Sequence, residues 1–326
     1  MMTLRDTQCP VAIIGGGLIG AAAARALDQA GRTATVITRA PPEYIGKGID
    51  WQFGDIASRR ALDAATQSRA IVFASGSMVP ATRVASVESA IHEEMLPVVR
   101  LAEASARAGA EVIVLVSSGG TVYGPSAPVP TPETCLPGPI NTYGAVKVLI
   151  ERALLEIGRL CNVPVVILRV ANPYGPSQTA DRKVGFIGVA VHAAATGEPL
   201  KIWGDGSVTR DFVYIDDVGT AIALATDYRG PSVVINIGSG TENSLLGVCR
   251  LIEQISGQSI DVELSEGRSV DVPRSLLDIA QARTVLGWEP RVPLTQGLIR
   301  TIRSVAHKTG RPDDCDAAEQ LRVMRV

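Results

Sequence analysis

Through the first half of the chain, short apolar runs rich in β-branched residues alternate with longer stretches of helical periodicity. The runs are Val11–Ile14, Ala34–Thr38, Ala70–Ala74, Val112–Val116 and Val163–Leu168. Helical patterns fill the gaps at roughly 18–30, 58–68, 88–109 and 143–160. In the last of these, Val146, Leu149, Ile150, Ala153, Leu154 and Ile157 share one stripe. Strands that are apolar throughout suit burial on both faces. Joined through helices, they form a parallel sheet with right-handed crossovers. The expected fold class is therefore α/β, a doubly wound parallel sheet.

After residue 172 the rhythm changes. Turn-rich segments (Pro173-Tyr174-Gly175-Pro176 and Trp203-Gly204-Asp205-Gly206) interrupt shorter elements, with strands expected at Val233–Ile237 and near Ile260–Leu264. We expect residues 1–172 to form the sheet domain, completed by a later segment near 205–240. Residues 173–308 form mainly a smaller C-terminal lobe, and 309–326 a polar, loosely ordered tail.

At 326 residues and 46% hydrophobic content, the chain can bury a large core. Its net charge of −2, dispersed basic residues and 4% aromatic content give no footprint for nucleic acid or an anionic membrane. The apolar stretch Val11–Leu27 is glycine- and alanine-rich and interrupted by Arg25, which reads as strand-turn-helix rather than signal peptide or membrane span. The five cysteines (Cys9, Cys135, Cys161, Cys249, Cys315) form no framework, so a cytoplasmic setting is expected. The three histidines (His92, His192, His307) have no plausible co-ligand nearby, so no metal is expected.

Two motifs carry chemistry. Gly15-x-Gly17-Leu18-Ile19-Gly20, after a strand and before a helix, has the spacing of a dinucleotide fingerprint. Its glycines let backbone approach a pyrophosphate whose charge the helix N-terminus favours. A tight turn with close helix packing is the alternative. The second strand ends in Val36-Ile37-Thr38-Arg39, with a guanidinium where an NAD site usually has a carboxylate. Arg39 suits a 2′-phosphate and favours NADP over NAD, unless it is an ordinary surface residue. Asp55 and Ile56 follow where they could bond and pack against an adenine.

The second motif is Tyr143-x-x-x-Lys147, whose members share a helix face. An ammonium beside a phenol favours the phenolate, which turns a tyrosine into an acid/base near neutral pH. Upstream, Ser117-Ser118-Gly119-Gly120-Thr121-Val122-Tyr123-Gly124 closes an apolar strand.

These motifs continue in order with Asn172-Pro173-Tyr174-Gly175-Pro176, Arg210-Asp211-Phe212-Val213-Tyr214 and Leu286-Gly287-Trp288-Glu289-Pro290. Over roughly residues 9–300 the set resembles the extended short-chain dehydrogenase/reductases, specifically the NAD(P)-dependent nucleotide-sugar epimerase/dehydratase family. The resemblance implies a Rossmann-type sheet with a substrate-binding C-terminal lobe. It makes Tyr143 the acid/base and Lys147 its tuner and ribose ligand, and it adds Ala74 to the cofactor contacts. Ser118 or Thr121 would bond the reacting sugar oxygen. Asn172, Trp203, Arg210 and Arg268 fall where the family contacts the nucleotide diphosphate. Read by themselves, the two arginines suit bidentate phosphate contacts. Arg210 could instead pair with Asp211, and Trp203 could be core.

Three departures stand out. The family's first fingerprint glycine falls on Ile14, a common asparagine is replaced near Glu94, and the usual catalytic Ser/Thr falls on Gly119. The turn also lacks the carboxylates that dehydratases and decarboxylases of the family carry, which disfavours elimination unless another loop provides an acid and a base. The expectation is a nucleotide-sugar 4-epimerase. The alternatives are an NADPH-dependent 4-ketoreductase and a catalytically silent NAD(P)-binding sensor or scaffold. Relatives suggest a homodimer through the helix bearing Tyr143, although the stripe Val146–Ile157 could equally be intramolecular core.

Overall fold

The computed structural model describes residues 11–308, apart from 43, 77, 79–81, 83–85, 177–184 and 269–271, with 307 and 308 described in backbone only. The strands are β1 (Val11–Ile14), β2 (Ala34–Thr38), β3 (Ile49–Phe53), β4 (Ala70–Phe73), β5 (Val112–Ser118), β6 (Val165–Val170), β7 (Asn172–Tyr174), β8 (Leu200–Trp203), β9 (Thr209–Tyr214), β10 (Val233–Ile237), β11 (Glu242–Ser244), β12 (Val262–Ser265) and β13 (Arg274–Ser275). The α-helices are α1 (Leu18–Gln29), α2 (Arg59–Gln67), α3 (Val87–Ala90), α4 (Leu96–Arg107), α5 (Gly119–Val122), α6 (Thr142–Cys161), α7 (Phe186–Thr196), α8 (Ile215–Ala225), α9 (Leu245–Ser256), α10 (Ala280–Leu286) and α11 (Leu294–Lys308). Among these described residues, no helix is long and apolar enough to cross a membrane.

Seven parallel strands form the main sheet in the order β10-β6-β5-β4-β1-β2-β3. Side chains alternate between two apolar layers: Val11 and Ile13 join one, Ala12 and Ile14 the other. Helices α1 and α8 pair on the first face, and α2, α4 and α6 on the second. Strand β10 returns from the C-terminal half to pair with β6. The chain steps one way from β1 and the other way from β4, so the topological switch lies between them, where open α/β sheets bind ligands.

Strand β3 and most short C-terminal strands are absent from the sequence reading. Ile49-Asp50-Trp51-Gln52-Phe53 alternates in polarity because it is a half-exposed edge, and a search for continuously apolar runs passes over it. The stretch expected as one helix at 88–109 is divided: a π-helical turn, Ile91–Met95, separates α3 from α4.

Two motifs of the C-terminal half pair directly. Asn172-Pro173-Tyr174 lies parallel to Phe212-Val213-Tyr214, and β9 also carries β11 and β13. Tyr174 packs edge-on against Phe212 and Tyr214. Trp288 is core: its indole N–H donates to the Asp217 carbonyl at 2.9 Å, while the Asp217 carboxylate accepts from the Val292 N–H at 3.0 Å.

Helix α6 is fixed by a buried ion pair. Arg169 of β6 forks onto Glu151 of α6, with Nη2 and Nε at 2.6 and 3.1 Å from the two carboxylate oxygens, and the side chains are 5% and 3% exposed. Burial alone would pull Arg169 down, but the hydrogen bonds and charge of Glu151 raise it above its ordinary range. The apolar residues Val146, Ile150, Leu154 and Ile157 of the same helix are buried in the chain's own core, so that part of the stripe is intramolecular, while Leu149 is exposed. Replacing Arg169 with Met should lower unfolding free energy by about 3–5 kcal/mol, because Glu151 is left buried without its partner. The double variant Glu151→Leu/Arg169→Met should lose less, and urea denaturation of the set measures both.

Candidate active site

The dinucleotide end begins where β1 stops. Gly15 has φ +108°, and a Cβ there would lie 2.7 Å from Ser75 Cα in the turn after β4. A Cβ on Gly20 would collide with the Gly15 carbonyl, so α1 seats directly on the loop. Gly17 differs: a Cβ there would meet nothing within 4 Å, and as N-cap of α1 it makes no side-chain capping bond. The first turn of α1 thus keeps its N–H groups unshielded, with no acidic side chain beside them. These residues fit a pyrophosphate-bearing dinucleotide, and a glycine at 15 rather than 14 accommodates the switch-point turn.

Beyond the loop, Arg39 is exposed immediately after β2, where Thr38 turns inward and its hydroxyl donates to the Ala40 carbonyl at 2.9 Å. Asp55, exposed after β3, accepts from the Ala57 N–H at 3.0 Å, and half-buried Ile56 packs onto the α2 layer. The Ala74 N–H donates to the Ile14 carbonyl at 2.9 Å, extending β4 towards the phosphate loop.

The same turn leads to Tyr143 and Lys147. A Cβ on Gly76 would lie 3.7 Å from Lys147 Nζ and 3.4 Å from Glu94 Oε2, the latter carried on the π-helical turn. Lys147 is 8% exposed, and its ammonium sits 5.7 Å from the centre of the Tyr143 ring. Asn141 caps α6 by accepting from the Gly144 N–H at 2.8 Å, which fixes Tyr143 in the first turn. The Thr121 carbonyl would lie 2.8 Å from a Cβ on Gly144, so the short helix α5 abuts that turn. Phosphate loop, post-β4 turn, Tyr143/Lys147 and α5 are therefore contiguous along the carboxyl ends of β1, β4 and β5.

Ser118 ends β5, half-buried, and its side chain makes no capping bond to α5. The Thr121 hydroxyl is buried without a hydrogen-bond partner. Gly119 itself is buried, and a Cβ there would lie 2.5 Å from Leu277 Cδ1 and 3.0 Å from the Arg169 carbonyl oxygen. Gly120 faces Asn172, whose Nδ2 donates to the Asp211 carbonyl at 3.2 Å.

The candidate substrate residues divide into two groups. Arg210 Nη1 donates to the Thr209 and Val272 carbonyls at 2.8 and 2.7 Å. The buried Asp211 carboxylate instead accepts from the Ser239 N–H and hydroxyl at 2.6 and 2.7 Å and from the Leu277 N–H at 3.3 Å, which overturns the reading of an Arg210–Asp211 pair. Burial holds Asp211 above the usual carboxylate range, against the pull of those donors. Trp203 is 38% exposed on β8, so it is not core, and Lys201 and Arg268 stand 4.7 and 5.0 Å from its ring.

Sequence reasoning missed several residues here. Glu151 was visible as a third polar member of the Tyr143/Lys147 stripe, and Arg169 as a charge within an apolar strand. Ser75, Gly76 and Leu277 offered no local signal. Cys9, Cys315 and the polar tail lie outside the described residues. Cys135, Cys161 and Cys249 are free thiols, and no metal-binding cluster occurs among the described residues.

Residues 11–238 match the model of the NAD dependent epimerase/dehydratase family. The chain belongs to that family. It is 37% identical over 211 residues to UDP-glucose 4-epimerase of Mycolicibacterium smegmatis, covering 65% of this chain and 67% of the relative. It is 33% identical over 201 residues to dTDP-4-dehydro-6-deoxyglucose reductase of Escherichia coli, covering 61% and 63%. The crystal structure of Thermotoga maritima UDP-glucose 4-epimerase with UDP-glucose superposes with a TM-score of 0.82 at 28% identity, covering 92% of this chain and 99% of that one. Family membership accounts for the sheet, the glycine loop and the C-terminal lobe together, and makes this chain an NAD(P)-dependent enzyme of that kind.

The loop geometry separates two kinds of glycine. Gly17→Val should weaken dinucleotide binding about tenfold or more with little change in melting temperature, since the side chain enters only the cradle. Gly20→Ala should lower both, with an overpacking cost of about 1–3 kcal/mol. Titration of NAD and NADP by calorimetry, alongside thermal melting, checks the contrast.

Proposed function

We propose that this enzyme inverts C4 of a UDP- or dTDP-linked hexose or hexuronate through a 4-keto sugar. The observation that carries the reading is the Tyr143/Lys147 pair beside a hydroxyl-bearing, carboxylate-free turn. The Tyr143 phenolate takes the C4 hydroxyl proton, and Ser118 or Thr121 hydrogen-bonds the same oxygen. Lys147 places its cation beside the phenol and is the donor for the nicotinamide ribose. The dinucleotide, when bound, supplies a reversible hydride acceptor. The 4-keto sugar then presents its other face, and Tyr143 returns the proton. Arg210, Arg268 and Asn172 hold the nucleotide diphosphate while the sugar turns, and Trp203 packs near the base. A soluble nucleotide sugar as the sole partner, a cytoplasmic setting and a homodimer complete the proposal. Exposed Leu149 and Leu160 on the outer side of α6 support the homodimer.

Arg39 favours a second reading, an NADPH-dependent 4-ketoreductase that uses the same residues in one direction. An epimerase turns over without net cofactor supply, whereas a reductase consumes NADPH stoichiometrically. NMR of UDP-glucose, UDP-glucuronate and dTDP-sugars incubated with the protein tests the first, with C4 inversion the expected result. Absence of inversion with every sugar, together with NADPH consumption on a 4-keto sugar, would replace it with the second.

Tyr143→Phe should reduce turnover about 10²- to 10⁴-fold while leaving nucleotide affinity unchanged. Arg39→Glu should shift the ratio of NADP to NAD affinity by about tenfold or more towards NAD. Retention of the ratio would remove the 2′-phosphate assignment.

A further inference from the structure

The catalytic turn has a hydrophobic neighbour contributed by a distant part of the chain. Leu277 is 2% exposed, and its side chain lies against Gly119, where Cδ1 and Cδ2 would stand 2.5 and 3.1 Å from any Cβ. A side chain at 119 would therefore require the Leu277 side chain to shift. The Arg169 carbonyl, on the strand that anchors α6, borders the same Cβ position at 3.0 Å. The space beside the first residue of the turn is therefore closed by β6 and Leu277 together.

Leu277 is in turn placed by the candidate nucleotide-binding segment. Its N–H donates to Asp211, the neighbour of Arg210, while the Thr131 N–H donates to the Leu276 carbonyl at 2.9 Å and the Asp278 N–H to the Thr131 carbonyl at 3.0 Å. Upstream, Arg274 and Ser275 pair with Thr209 and Arg210, and Arg210 itself bonds the Val272 carbonyl. A continuous backbone path thus runs from Arg210 to the side chain beside Gly119.

We propose that Leu277 is a positioning residue that couples occupancy of the nucleotide-diphosphate site to the placement of the hydroxyl-bearing turn. Glycine at 119 then leaves room for that side chain, and a Ser or Thr at this position would require Leu277 to move. The inference rests on the nucleotide-sugar reading above. Its physical basis is that binding energy from a remote part of a substrate can be used to orient groups at the reacting centre.

The test is hydrogen exchange of residues 112–124 with and without UDP, on the full chain with its dinucleotide bound. In the wild type, UDP should slow exchange of the 118–122 amides by about threefold or more. Leu277→Val, which keeps a buried branched side chain, should abolish most of that slowing with UDP affinity and melting temperature little changed. In turnover, kcat should fall about tenfold with KM unchanged, as expected for a misplaced reacting group. Gly119→Ala should behave similarly, and Gly119→Ala/Leu277→Ala should recover part of the coupling because the methyl group enters the vacated space.

Absence of a UDP effect on the wild-type turn would overturn the inference, as would Leu277→Val retaining wild-type coupling and kcat. Parallel loss of coupling, affinity and stability without recovery in the double variant would reduce Leu277 to ordinary core. Where UDP does not bind, dTDP replaces it as the probe, and failure of both to bind would remove the nucleotide reading and this coupling together. Tyr143→Phe, assayed alongside, separates the readings: full activity in that variant sinks the catalytic assignment, whereas loss of activity with unaffected Leu277 variants sinks only the coupling.

Discussion

The Glu151–Arg169 pair is the interaction on which the placement of the site depends. Burying two charges costs several kcal/mol per ion, and that cost is offset only when geometry is good and remaining hydrogen-bond capacity is met. Both conditions hold. The guanidinium forks onto both carboxylate oxygens and lies 4.7 Å from the centre of the Tyr123 ring, while the Ser117 hydroxyl donates to Glu151 at 2.5 Å. Tyr123 then donates to Asn236 at 2.7 Å, and Asn236 Nδ2 reaches the Thr131 and Asp278 carbonyls. One polar network therefore ties α6, β5, β6 and β10 together. Tyr143 and Lys147 lie two turns and one turn before Glu151 on the same helix stripe, so locking Glu151 to the sheet fixes Tyr143 and Lys147 against the strand ends.

Legibility from sequence followed burial. The strands β1, β2, β4 and β5 are covered on both faces, and their continuous apolar runs gave them away with nearly correct bounds. The edge strand β3 lacks that pattern. Strands as short as Glu242–Ser244 and Arg274–Ser275 exist only because β9 provides a partner, and no local periodicity encodes them. At the site, Tyr143/Lys147 and the glycine loop were legible because one helix and one strand-turn-helix unit fix their spacing. The turn at Ser75 and Gly76 was not, since its importance comes from two partners, Gly15 and Lys147, supplied by other elements. Gly119 shows both cases at once: the missing side chain is visible in the sequence, but its physical reason, Leu277, lies far along the chain.

The placement of carboxylates argues for the class of reaction. Elimination from a sugar needs an acid and a base in addition to the tyrosine, and the turn Gly119-Gly120-Thr121 provides neither. Among the described residues, three nearby carboxylates are engaged in structure. Glu151 is held by Arg169 and Ser117, Asp211 by Ser239 and the Leu277 N–H, and Glu133 accepts from the Asn236 N–H at 2.8 Å. Withdrawing any of them would strand a buried donor at a cost of about 1–3 kcal/mol or more. Glu94 lies by Gly76, in the turn after β4, near Lys147. Chemistry that needs one proton donor and acceptor, taking a hydroxyl proton and returning it, matches a site with one phenol, one ammonium and hydroxyls. Among the described residues, epimerisation at C4 and reduction of a 4-ketone fit that condition better than dehydration, which would need an acid and a base from another loop.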